Sequence, residues 1–187
     1  MSSTETLHGA SLHTAHEEHH EHHHHQSFVA KYIFSQDHKT IAKQFLVTGI
    51  IWAIIGGLFS VLFRLQLGYP DSTFPFLEDI LGHWAKGGKI SPEFYYALVT
   101  MHGTILVFFV LTAGLSGTFA NFLIPLQIGA RDMASPMLNM LSYWFFFMAS
   151  VVMAASLFVQ TGPASGGWTI YPPLSALGDA SIGSKIG

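Results

Sequence analysis

His102 is the residue whose surroundings most demand a chemical explanation. It lies in the apolar run Tyr95-Tyr-Ala-Leu-Val-Thr-Met-His-Gly-Thr-Ile-Leu-Val-Phe-Phe-Val, with no charged side chain for many positions on either side. An imidazole placed there gives up its water. It persists only where its nitrogens are satisfied, and a metal or haem iron is a common partner. The plainer reading is a hydrogen bond to a neighbouring helix. The other eleven of the twelve histidines fall in soluble or interfacial stretches.

Such a residue acts only if spanning elements hold it, and the composition supplies them. Of 187 residues, 50% are hydrophobic, 14% aromatic and only 10% charged, against about 25% charged in a soluble domain. The expected fold is an all-α membrane protein with three transmembrane helices, at about 45–67, 95–122 and 137–159. Each is long enough for a bilayer core that needs roughly 20 helical residues. Residues 1–27 are polar and rich in His and Glu, and read as a disordered tail or a metal-sequestering tract. Residues 28–44 read as an amphipathic interfacial segment. Residues 68–94 and 160–187 read as outer loops, the second truncated, and residues 123–136 as a short inner turn. Lys31, Lys39, Lys43 and Arg131 on one side slightly outweigh Lys86, Lys89 and Lys185 on the other, which favours an N-terminus in the cytoplasm. The net charge of −3 argues against a nucleic-acid partner. The absence of Cys excludes disulfides, iron–sulfur clusters and thiolate copper sites from this chain. The first forty-odd residues contain no apolar segment of the secretory-signal kind.

These spans sort the remaining polar residues into two groups. Arg64 is expected ~5 Å from the outer edge of the first helix and His102 ~10 Å into the second, at similar depth. The tail motif Gly166-Gly-Trp-Thr-Ile-Tyr-Pro-Pro begins on the same side, so three polar or aromatic features share one layer. Singly, Arg64 can snorkel to headgroups, and Trp168 with Tyr171 can form an interfacial belt. On the inner side, Asn121, Asp132 and Asn139 place a carboxylate beside amides that can hold water, as the entrance of a proton path needs. The ordinary alternative is helix capping and a surface acid that pairs with Arg131.

In order and spacing, the residues resemble a known family. The motifs are His38-Lys with Ile41, Ser60 to Arg64, Thr100-Met-His-Gly, Phe119-Ala-Asn-Phe-Leu-Ile-Pro-Leu-Gln-Ile-Gly-Ala-Arg-Asp-Met-Ala, Pro136 to Asn139, Ser142-Tyr-Trp, and Gly166-Gly-Trp-Thr-Ile-Tyr-Pro-Pro-Leu-Ser. From roughly His38 to Leu174 the chain resembles the N-terminal third of subunit I of haem–copper terminal oxidases of the cytochrome c oxidase type. Its three helices would belong to a larger bundle of the twelve-helix type. The resemblance implies that His102 is an axial iron ligand of a low-spin haem, of the a type. It implies that Arg64 bonds a peripheral carbonyl of that haem, that Ser60 and Tyr95 line it, and that Trp168 and Tyr171 lie near its propionates. Asp132 matches the mouth of a proton pathway, with Asn121 and Asn139 as its first amides. Catalytic residues are implied to lie outside this segment, as are the ligands of the high-spin haem and copper.

The expected role is part of a proton-pumping respiratory oxidase that reduces oxygen to water with electrons from cytochrome c or quinol. Its partners would be the remainder of subunit I, subunit II, other oxidase subunits and the lipid bilayer, with a respiratory supercomplex as a further partner. The expected location is the bacterial inner membrane. Four positions depart from the family pattern: Arg131 stands for Pro, Ser135 for an aromatic, Met137 for a basic residue and Met140 for Asn. Arg131 beside Asp132 is placed to pair with it and lower its pKa. The rival readings are a His-rich membrane metal-binding or transport protein, a b-type haem anchor, and a nitric oxide reductase relative.

Overall fold

A computed structural model describes residues 28–159, 162–169, 171–173 and 176–177. The His-rich stretch in residues 1–27, and Lys185, lie outside them. The described residues form three helices long and apolar enough to cross a membrane. A short π-turn, Val29–Ile33, precedes α1, His38–Gly68. A short helix α2, Pro75–Leu81, and a 3-10 stretch, Gly82–Gly88, fill the following connection. The second span, Pro92–Ile128, is continuous but not uniform. It consists of α3 (Pro92–Thr104), a π-helical stretch (Ile105–Leu115) and α4 (Ser116–Ile128). The third span is α5, Pro136–Ser156.

Side-chain caps set where α1 and α3 start, and four expected boundaries move, among them the end of the third span, at Ser156 rather than 159. α1 begins at His38 rather than near Phe45, because the Asp37 carboxylate accepts hydrogen bonds from the Thr40 amide and hydroxyl, both at 2.9 Å. The second span begins at Pro92 rather than Tyr95. Ser91 accepts from the Phe94 amide at 3.3 Å, and Pro92 sits in the first turn, where its missing N–H costs nothing. The same span was expected to stop before Pro125, yet it continues to Ile128 with Pro125 fully buried inside it. Proline removes only the bond to the Asn121 carbonyl, and packing outweighs that loss. The helix ends where Gly129 turns left-handed (φ 69°) and the Ala130 amide bonds the Pro125 carbonyl at 2.9 Å.

The first two spans run antiparallel in close contact. Gly49 and Gly114 let the backbones touch: a Cβ built on Gly49 would stand 3.1 Å from the Gly114 Cα. Small residues serve this purpose where lipid supplies no hydrophobic drive between helices. The core lies in three layers. Ile41, Phe45 and Tyr143 occupy one end; Trp52, Met101, Ile105 and Phe109 the middle; Leu77, Ile90, Phe94 and Leu98 the other end.

Candidate functional site

His102 is half-buried on α3 and reaches across to α1. Its Nδ1 lies 2.8 Å from the Gly56 carbonyl oxygen. A carbonyl only accepts, so the proton sits on Nδ1 and the lone pair of the neutral ring sits on Nε2. That is the tautomer and orientation a metal-ligating histidine needs. Phe63 packs edge-on against the imidazole at 5.4 Å and against Tyr95 at 6.0 Å. Tyr95 lies seven residues before His102, on the same helix face. Gly56, Ser60 and Arg64 follow one another at single-turn spacing along α1. The site is therefore a shared stripe of two helices, with Phe63 bridging them.

The expected single layer does not hold. The imidazole sits at the level of Gly56, eight residues before Arg64, or ~12 Å along the axis. Arg64 is exposed and makes no ion pair among the described residues. The Gly166-Gly-Trp turn does return to α3, where the Gly167 amide donates to the Thr100 hydroxyl at 2.9 Å, two residues from His102. The Trp168 ring, however, lies over Phe108 at 6.0 Å, and Tyr171 is exposed. Neither ring contacts the imidazole. A haem fits this face by three observations: an orientated Nε2, an aromatic wall, and a free guanidinium two turns away.

At the opposite end of the bundle, Asp132 is partly exposed, and one of its oxygens is engaged by protein. Its Oδ1 accepts from the Met133 amide at 2.7 Å and the His38 amide at 3.3 Å, and lies 3.2 Å from His38 Nδ1. Arg131 is exposed and makes no ion pair among the described residues, so His38 replaces it as the partner. His38 is buried, and its Nε2 has no protein partner. No local spacing could reveal this pair, since 94 residues separate its members. Donor atoms of Asp37, His38 and Asp132 lie within 4.8 Å of one another. The hydrogen bonds account for that clustering without a metal. At Asp37, burial acts to raise the carboxyl pKa. The Thr40 hydroxyl and amide, with His38 beside them, outweigh it and hold the group below its usual value.

The two amides carry a sharper signal. The Asn121 Nδ2 donates to the Gly117 carbonyl at 2.7 Å, but its Oδ1 is buried without a protein partner. The Asn139 Nδ2 is likewise buried and unpaired by protein. A buried polar atom left unpaired costs about 1–3 kcal/mol, a demand that bound water meets.

The family described as Cytochrome C and Quinol oxidase polypeptide I matches residues 40–186. The chain belongs to that family. It is 43% identical over 152 residues to the alternative cytochrome c oxidase subunit 1 of Bradyrhizobium diazoefficiens, covering 81% of this chain and 23% of that protein. It is 41% identical over 146 residues to cytochrome c oxidase subunit 1 of Thermostichus vulcanus, covering 78% and 23%. It is 39% identical over 150 residues to the heme-copper oxidase subunit I+III of Aeropyrum pernix, covering 80% and 16%. The chain thus spans less than a quarter of these curated relatives. Polypeptide I of the haem–copper oxidases works within an oxidase complex and binds haem and copper. That membership, rather than ion transport, frames the chemistry of residues 40–186.

Proposed function

We propose that this segment supplies one axial ligand of a low-spin haem, of the a type, and the mouth of a proton pathway, in a proton-pumping terminal oxidase that reduces oxygen to water. The observation that carries the haem assignment is the 2.8 Å bond from His102 Nδ1 to the Gly56 carbonyl. It aims a lone pair from Nε2 out of an apolar helix face. Such a donor leaves a strong-field ligand with fixed ring orientation. When bound, the haem supplies one-electron transfer toward an oxygen-reducing haem–copper centre whose ligands lie outside this chain. Ser60 and Tyr95 line the same stripe. Arg64 would hold a peripheral carbonyl of the haem, where positive charge favours the electron-rich state. Trp168 and Tyr171 approach the propionates in the assembled protein.

Asp132 collects protons from the inner side, with the N-terminus in the cytoplasm and the bilayer a bacterial inner membrane. Asn121 and Asn139 hold the first waters, which their unpaired atoms require. The electron donor is cytochrome c or quinol, and the partners are the remainder of subunit I, subunit II and the other oxidase subunits. The test is His102→Ala in the complete oxidase. We expect the low-spin haem absorbance to disappear; an unchanged spectrum removes the assignment.

A further inference from the structure

We propose that the groove between the interfacial segment, α1 and α5 binds an anionic phospholipid, its phosphate at Lys43 and one acyl chain running between the helices. The groove has a volume of about 530 Å³ and is framed by Tyr32, Lys43, Gln44, Val47, Trp144 and Phe147. It is a fixed feature rather than a gap beside a loose strand. The Gln44 side-chain amide donates to the Tyr32 carbonyl at 2.5 Å, and the Trp144 indole N–H donates to the Ile33 carbonyl at 3.2 Å. Phe34 stacks on Trp144 at 5.8 Å. The segment is thereby pinned to both helices and forms a wall.

Charge and polarity change along the groove as they do along a lipid. Its rim carries Lys43, with Lys39 one turn earlier on the same face of α1. Lys31 adds a third cation, its ammonium 5.4 Å from the Tyr32 ring. No acid lines the groove, and Asp37 is engaged by Thr40. Beside Lys43 the Gln44 Oε1 is buried with no protein partner. Deeper in, Thr48 and Tyr143 satisfy each other at 3.1 Å, so the floor presents carbon. A further protein helix is the poorer occupant. Close helix contact in this chain runs through Gly49 and Gly114, whereas no glycine lines the groove, and Lys43 on its rim would have to be desolvated against protein.

The inference rests on the membrane-spanning reading of α1 and α5, not on the haem ligand. It is tested in the complete oxidase, reconstituted in nanodiscs of phosphatidylglycerol and phosphatidylcholine. Retained lipid is counted by mass spectrometry after re-extraction in detergent. Wild type is expected to keep one phosphatidylglycerol, whose occupancy Lys43→Gln lowers and Val47→Trp abolishes. Loss of one lysine should weaken binding about five-fold. The low-spin haem spectrum, read on the same samples, reports folding separately. Wild-type occupancy of that lipid in either folded variant overturns the proposal, as does a density map showing polypeptide in the groove.

Discussion

A single carbonyl decides how His102 is read. Histidine in an apolar helix has two plausible fates, a hydrogen bond or a ligand role, and the hydrogen bond found here is compatible with the proposed ligand role. Nδ1 meets Gly56, and by doing so orientates Nε2. The sequence exposed His102 through its charge-free surroundings, but the Gly56 contact was hidden, because a backbone acceptor leaves no trace in residue type. His38 shows the reverse. It stood in a motif and looked interfacial, yet it is buried against Asp132. At this scale the Asp37 cap gives a pH test. Its folded pKa lies below the usual carboxylate value. The stabilisation is therefore present above the unfolded-state pKa and is lost as pH falls through the folded one. Asp37→Asn retains a capping oxygen and should remove this acid dependence, while Asp37→Ala should cost about 1 kcal/mol at neutral pH. Thermal melts of the complete oxidase across acid pH separate the two, and identical acid profiles for wild type and Asp37→Asn would refute the account.

The three spans were legible because apolar runs near 20 residues have few alternatives in a bilayer. Their ends were less so. Pro125 is an interruption by local propensity, but burial of the ring inside the bundle keeps the helix intact to Ile128. The π-helical stretch Ile105–Leu115 was not foreseen, because its residues are apolar apart from Thr112 and Gly114 and carry no periodic signal. Within it the Thr112 hydroxyl donates to the Val107 carbonyl at 2.8 Å, five residues back, and so satisfies part of the widened ladder. α5 is attached mainly through rings. Phe45 lies 5.3 Å from Tyr143 and 5.4 Å from Phe146. Removing that anchor with Phe45→Ala should destabilise the bundle by about 3–5 kcal/mol. A denaturation series on the complete oxidase measures this, and a loss under about 1 kcal/mol would show that α5 is held by something else.

For the whole molecule, the chain is a portion of a larger bundle, and its surfaces agree. Only 11% of the third span's most apolar window is buried by the described residues, so lipid and further helices must cover the remainder. This explains why Arg64, Trp168 and Tyr171 do not gather round His102 here. Their shared role, as the resemblance has it, depends on a ligand and on protein outside the chain, neither of which sequence spacing can position. The proposed proton path belongs to this scale as well, since its consequence would be felt across the membrane. Asp132→Asn should slow turnover and uncouple or block pumping, read as proton release from reconstituted vesicles; full pumping would refute the assignment. One further result follows from the meeting of Gly49 with Gly114. Two main chains in contact leave no soft matter between them to compress. The two helices that bring His102 to its carbonyl are accordingly held at a fixed separation two turns away by main-chain contact, and only the Ile105 and Leu106 side chains beside Gly56 remain to adjust the reach.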